Sequence, residues 1–310
     1  GLGDVYKRQA ATDNVRTGIL DVAGVGTFRN DVNIPDKIIH LGDTDTAIRF
    51  PAADTVSVET SSSERLRIDS AGNMGLGITP DTQGGTVDSL QIGSATNLYN
   101  ETSDDYTILG NNVYFDGTNN KYIKTQESSR LMQNAGEFTF NQSVSGSADA
   151  NITYTTPLKI DANGYVTKPN NPAFIAGRTG GNQTFTVGTY PLNVARLNVG
   201  NHYNTSTYKF VAPVAGVYYF HGQVYYNNGS GSYRVGIRKT PNGGTAFMLN
   251  TAGHEVVGND DQQSTSIIET MAVGDAVDLF CDSNQSQQCY YNINDATYGA
   301  HTYFMGYLIG

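Results

Sequence analysis

A strand-and-turn rhythm constrains this chain most. Between residues 10 and 170, short alternating segments recur: Ala47-Ile48-Arg49-Phe50, Val56-Ser57-Val58-Glu59, Tyr106-Thr107-Ile108-Leu109 and Glu137-Phe138-Thr139-Phe140. Clusters of Gly, Asn, Asp or Ser break them every six to twelve residues. Period-two alternation over such lengths puts apolar side chains on one face of a strand, and helical periodicity is almost missing. Composition agrees, because 33 Thr and 29 Asn each outnumber the 15 Leu, alongside 35 Gly and 20 Tyr. Turn-forming, β-branched and aromatic residues have replaced helix formers, so the expectation is an all-β chain rather than a helical bundle or an ordinary α/β enzyme. At 15% charged residues, it is also too poor in charge for a solvated disordered acid.

The 310 residues suggest two units, each able to bury a core. Net charge is −10, and neither half carries the basic stripe that phosphate neutralisation requires, so nucleic acid is not expected as a partner. No apolar run is long enough to span a bilayer as a helix, so membrane insertion is not expected, and no signal peptide is read. Residues 1–9, Gly-Leu-Gly-Asp-Val-Tyr-Lys-Arg-Gln, read as a non-native leader. Cys281 and Cys289 cannot supply a zinc cage alone, and either a local disulfide or two half-buried free thiols fits their spacing.

A degenerate repeat runs through residues 10–170. Leu66-Arg67-Ile68-Asp69-Ser70-Ala71-Gly72 matches Leu158-Lys159-Ile160-Asp161-Ala162-Asn163-Gly164. In both, the Asp is placed to accept backbone hydrogen bonds in a turn, and the Gly permits a positive φ. Looser copies are Leu20-Asp21 with Gly24, and Phe115-Asp116 with Asn119 at the glycine offset. The pairs begin at 20, 68, 115 and 160, giving steps of 48, 47 and 45 residues. Units with so few apolar residues need neighbours, and identical chains winding together would cover them, so this part is expected to form an oligomeric shaft. The boundary falls at Lys168-Pro169-Asn170-Asn171-Pro172, which leaves residues 171–310 as a second unit holding 13 of the tyrosines and longer strands.

Two resemblances follow from these residues. Glu64 to Gly77, preceded by Asp43 to Phe50, resembles the shaft of bacteriophage tail fibres, especially those of marine phages. Asn198-Val199-Gly200-Asn201-His202-Tyr203, followed by Phe210, Pro213, Gly216, Tyr218 and Phe220, resembles the signature of C1q-like domains. Val273 to Leu279 and Tyr303 to Ile309 are similar to that family's Gly-Asp turn and closing strand. Leu192 and Gly222 depart from it where aromatic residues are usual. The second resemblance implies a TNF-like jelly roll that assembles as a homotrimer.

Enzyme motifs are missing. His254-Glu255 lacks a second His at position 258, Gly24-Val25-Gly26 does not open a helix, and Asp43-Thr44-Asp45 lacks the remaining ligands of a calcium loop. All five histidines read as structural or surface residues. No catalytic residue and no cofactor is therefore expected, and Asp260 and Asp261 are only weak candidates for a metal, since calcium takes six to eight oxygens. Tyr225, Tyr226 and Asn227, with Tyr290 and Tyr291, are the candidate ligand-binding residues. Aromatic faces beside amides suit sugar rings, although alternate tyrosines of each pair also fit a core or subunit contact.

Together these readings predict an elongated repetitive β shaft followed by a C1q/TNF-like jelly-roll head, homotrimeric. They point to a virion attachment protein that is made in the host cytoplasm and recognises a host cell-surface glycan or protein. Its N-terminal part would join other tail or baseplate proteins. The alternatives are a secreted bacterial adhesin and a glycan depolymerase.

Overall fold

The computed structural model describes residues 25–27, 29–84, 87–101, 106–258, 261–283, 285–294, 296 and 299–310. The leader, the turn copy at Leu20-Asp21-Gly24, and Asp260 lie outside the described residues. Within them the fold is all-β, with 26 strands and no helix.

Strands β1 (Lys37–His40), β2 (Asp43–Arg49), β3 (Val56–Thr60), β4 (Ser63–Ile68), β5 (Met74–Leu76), β6 (Val87–Ile92), β7 (Thr96–Glu101) and β8 (Tyr106–Asn111) lie side by side in chain order. A separate small hairpin follows, β9 (Tyr114–Phe115) with β10 (Asn120–Lys121). Then β11 (Gln126–Asn134), β12 (Glu137–Gly146), β13 (Thr155–Ile160) and β14 (Val166–Thr167) complete a sheet of 12 strands. All neighbours are antiparallel except β5 and β6. Each strand from β2 to β8 and from β11 to β13 pairs on both sides within one chain.

The repeated turns are superposable in their bonding. Asp69 accepts the amides of Ala71 and Asn73 at 3.0 and 2.9 Å, and Asp161 accepts those of Asn163 and Tyr165 at 2.9 Å each. Gly72 and Gly164 take φ of 88° and 85°, the left-handed conformation that a Cβ disfavours. The copy at Asp116 is different. Its loop closes one residue sooner, Asp116 N–H donating to the Asn119 carbonyl, so Gly117 and not Asn119 adopts the positive φ.

The two faces of this sheet differ in an unexpected way. Cross-strand register places Ser57, Arg67, Gly75, Gln91, Asn97 and Gly110 in one row on the side covered by loops. Gln91 is fully buried there, accepting from the Asp81 amide at 2.8 Å and donating to its carboxylate at 2.7 Å. Asn97 donates to the Val113 carbonyl at 3.2 Å. Buried amides thus satisfy loop peptides that would otherwise lose water without compensation. The apolar core on this side is small, made of Val87, Tyr99, Ile108 and Val113 with a few partly buried neighbours.

The remaining strands form a two-sheet sandwich: β15 (Ala173–Gly177), β16 (Asn182–Phe185), β17 (Gly188–Thr189), β18 (Val194–Val199), β19 (Tyr203–Asn204), β20 (Lys209–Val211), β21 (Gly216–Thr240), β22 (Phe247–Gly258), β23 (Asp261–Met271), β24 (Ala276–Cys281), β25 (Gln287–Tyr290) and β26 (Tyr303–Leu308). One sheet runs β18-β15-β26-β21-β23 and the other β22-β21-β24-β20-β19. The tyrosine-rich segments around Tyr218 and Tyr233 do not form two strands. They are one strand of 25 residues, β21, whose first half pairs with β26 and β23 and whose second half pairs with β22 and β24.

Alternation along β21 sends Tyr218, Phe220, Val224 and Tyr226 inward, all fully buried. Phe174 stacks between Tyr203 and Phe210, with ring centroids at 5.0 and 4.9 Å, and meets Phe304 edge-on at 5.1 Å. Tyr203, Phe210, Tyr218 and Phe220 are the aromatic positions read from the sequence signature, and each burial contributes about 1.5–3 kcal/mol. Asn198 closes the turn from β18 to β19, its side chain accepting from the Tyr203 amide at 3.0 Å and donating to the Tyr203 carbonyl at 2.9 Å. Gly222 stands opposite Leu279, whose methyl would lie 2.1 Å from an added Cβ, so the leucine fills the space of the expected aromatic. Leu192 is buried in the same core.

Candidate ligand-binding site

The alternation that builds the core also divides the tyrosine pairs. Tyr226 and Tyr291 are fully buried, and neither can face a ligand. This corrects the sequence-based set, because in a strand only one member of each adjacent pair points outward. Tyr226 hydroxyl donates to Gln263 at 3.3 Å, and burial pushes the phenols of both residues far above their usual range.

Tyr225 and Tyr290 are half-buried and meet each other, their centroids 6.2 Å apart at 70°. His301 joins them edge-on, 4.7 Å from Tyr290 and 5.0 Å from Tyr225. The fully buried Thr302 fixes this triangle. Its hydroxyl accepts from the Tyr225 amide at 3.1 Å and donates to the Tyr290 carbonyl at 2.7 Å. Gln223 donates to the His301 carbonyl at 3.0 Å. At the rim, Asn227 donates to Asn182 at 2.7 Å, placing two side-chain amides beside the rings.

The structure thus brings Tyr225, Asn227 and Tyr290 together, and it adds His301, Asn182 and Thr302. Sequence reading missed these three because they lie 11 to 77 residues from their partners and belong to no local motif. The pairing of β16 with β25 sets Asn182 opposite Tyr290, and the pairing of β21 with β26 brings His301 and Thr302 alongside Tyr225. Ring edges, ring faces and paired amides equip the cluster to stack on and hydrogen-bond a polyhydroxylated ligand.

The charged groups of the sandwich are engaged elsewhere. Asp278 is fully buried between both arms of Arg238, at 3.1 and 2.6 Å, and also accepts from Thr189. The Arg238 guanidinium lies 3.8 Å from the Phe280 ring centroid. Lys239 reaches Glu269 at 2.9 Å and Asp275 at 3.2 Å. Burial raises the Asp275 carboxyl, but the amides of Ala272 and Asn242 together with Lys239 outweigh it and hold the group below its usual range. Asp261, a weak metal candidate, pairs with His254 at 2.7 Å. Among the described residues no three His, Cys, Asp or Glu side chains converge to hold a metal.

Cys281 and Cys289 are free thiols and fully buried, not half-buried. Gln287 lies between them, its amide donating to the Cys281 sulfur at 2.6 Å and accepting from Cys289 at 3.8 Å. Burial raises both thiols, Cys289 well beyond the usual range.

The C1q domain family model matches residues 173–309, the two-sheet sandwich. Among solved structures, a TNF (Eiger) from S. frugiperda is similar at 11% identity and a TM-score of 0.38, covering 45% of this chain and 92% of that one. The globular domain of zebrafish complement 1qA is similar at 18% identity and 0.34, covering 45% and 98%. Murine APRIL is similar at 10% identity and 0.34, covering 44% and 98%. No curated protein matches the chain in sequence. The C1q domain match thus spans the two-sheet sandwich, which follows the twelve-stranded sheet along the chain.

Proposed function

We propose that this chain is the attachment fibre of a bacteriophage, a homotrimer whose C1q domain binds a host cell-surface receptor, with a glycan as the favoured ligand. The observation that carries this reading is the half-buried triangle Tyr225–Tyr290–His301 beside the Asn182–Asn227 amide pair. A trimer is supported by the outward side of the β18-β15-β26-β21-β23 sheet. Register there sets Leu197, Ile175 and Met305 in one row and Tyr307, Tyr219 and Ile268 in the next. Ile268 is 62% exposed and Tyr307 43%, an apolar patch that subunit contact would cover. Three weak sites on one trimer raise avidity without new contacts. The N-terminal sheet, with its fibre-like Asp turns, would carry the head away from the particle and join other tail or baseplate proteins. In this reading the head binds without catalysis, which is supported by the commitment of Asp275 to Lys239 and of Asp278 to Arg238.

The test is a glycan array with the full chain, followed by titration of the best ligand. Tyr290→Ala removes one stacking face, worth about 0.5–1.5 kcal/mol per site, and should weaken binding by about tenfold or more once multiplied over a trimer. Unchanged binding by both Tyr290→Ala and Tyr225→Ala would place recognition elsewhere.

A further inference from the structure

The twelve-stranded sheet is built inside out. Its covered face carries the polar row of Ser57, Gln91 and Asn97, whereas its open face carries leucine, isoleucine and phenylalanine. On that open face, register links Ile38, Ile48, Val58, Leu66, Leu76 and Ile92 from β1 to β6. A second row links Leu90, Leu98, Leu109, Leu131, Phe140 and Leu158 from β6 to β13. The two rows overlap on β6, so one apolar ridge crosses nearly the whole sheet.

Folding within one chain leaves this ridge wet. Leu109 is 51% exposed, Leu76 46%, Leu98 42% and Phe140 41%. Summed along the ridge, such exposures come to on the order of 1,000 Å² of mainly apolar surface, above the few hundred that a monomer normally leaves open. Each partner in a specific interface contributes about 800 Å². The ridge is also hollowed. One groove of about 550 Å³ is lined by Leu109, Leu131, Phe140 and Pro157, and another of about 250 Å³ by Ile38, Ile48 and Val58. Shape and area together call for an occupant with side chains to insert.

Charge indicates which occupant. The chain carries −10, so two copies repel unless they meet on a neutral surface. From β7 to β12 the ridge is flanked by Thr96, Asn111, Ser129 and Gln142 on one side and by Asn100, Thr107 and Gln133 on the other, all uncharged. Between β7 and β12 an acidic or basic partner finds nothing to pair with, whereas an identical face offers matching leucines, the exposed Asp88 beside Leu90 on β6 being a charge at the margin of this neutral stretch.

We propose that this ridge is covered by a second copy of the same chain, the sheets of neighbouring subunits packing face to face along β1 to β13. The proposal rests on the homotrimer reading only for the number of copies. It differs from that reading in placing a contact outside the C1q domain.

The experiment uses the full chain with Leu109→Cys, compared with Asn163→Cys in an exposed turn, each labelled with a maleimide while mass is followed by sedimentation. The native thiols are buried and stay silent. An oligomer in which position 109 labels at least tenfold more slowly than position 163 is the expected result. An oligomer labelled equally fast at both positions overturns the proposal and leaves the head trimer standing, the ridge then belonging to a different chain. A monomer overturns both. Met74, which lies on the same face and is 36% exposed in the single chain, supplies a readout without substitution. Peroxide should oxidise it as slowly as the buried Met271, and fast oxidation of Met74 in the oligomer counts against the covered ridge.

Discussion

Gly306→Ala is the substitution whose outcome follows most directly from the head's core. Gly306 lies on β26 directly between Phe174 of β15 and Phe220 of β21, and both rings lean over it. A Cβ there would sit 2.4 Å from the Cδ1 of Phe220, 2.8 Å from its Cε1 and 2.9 Å from the Cε1 of Phe174. All three distances fall well inside the ~3.5–4.0 Å of favourable carbon contact. Neither ring can retreat easily. Phe220 is stacked against Tyr218 at 5.9 Å and Phe304 at 6.1 Å, and Phe174 is held between Tyr203 and Phe210. Overpacking of this kind costs about 1–3 kcal/mol. The opposing effect, a stiffer unfolded chain, returns only about 0.4–1 kcal/mol. The net expectation is a loss of about 1.3 kcal/mol, or roughly 3–5 °C in Tm for a domain of this size.

The assay is urea unfolding followed by tyrosine near-UV circular dichroism, at one fixed protein concentration because subunit association shifts apparent stability. A cycle with Phe220→Leu isolates the cause. The smaller side chain leaves room for the new methyl, so the double variant should cost at least 1 kcal/mol less than the two single changes added, within the usual range for residues in contact (about 0.5–3 kcal/mol). A Gly306→Ala protein within about 0.5 kcal/mol of the parent would refute the packing argument, since surface-like tolerance has that size. Zero coupling with Phe220→Leu would refute it equally.

Two further outcomes are expected. Neither cysteine should react with a thiol reagent at neutral pH until urea is added, when two equivalents should appear; reaction in the folded protein would contradict the burial of Cys281 and Cys289. Burial lowers the His221 imidazole below its usual 6.5, so the unfolded chain holds that proton more tightly. The stability linked to His221 is then complete above pH 6.5 and declines as pH falls from 6.5 through the lowered value. Melting temperatures between pH 8 and 5.5 should fall more steeply for the parent than for His221→Gln, and parallel slopes would remove His221 as the cause.

Local pattern made the all-β class readable, because alternation and turn chemistry act within a few residues. The Asp69 and Asp161 turns show this best, since all their bonds lie within a five-residue loop. Asp116 shows the limit, since a loop one residue shorter moved the positive φ from Asn119 to Gly117. The head's aromatic positions were legible for a similar reason. Tyr218 and Phe220 share a face by strand alternation, and the five-residue spacing from Asn198 to Tyr203 lets the amide side chain close a turn. The candidate site was legible only in part. Tyr225 and Tyr290 could be proposed as ring types, but whether each or its neighbour faced outward depended on which side of the sheet became the core.

By itself the sequence determined strand class, turn positions and the two-part composition of this protein, because those are set by contacts between residues close along the chain. Tertiary structure decided three other things. It ran residues 216–240 through both sheets as one strand, it gathered Asn182, Tyr225, Tyr290 and His301 at one end of the sandwich, and it turned the leucines of the first sheet away from the side its loops cover. Each depends on register between distant strands. Alternation tells which side chains share a face, and only the pairing of strands tells which face is inside.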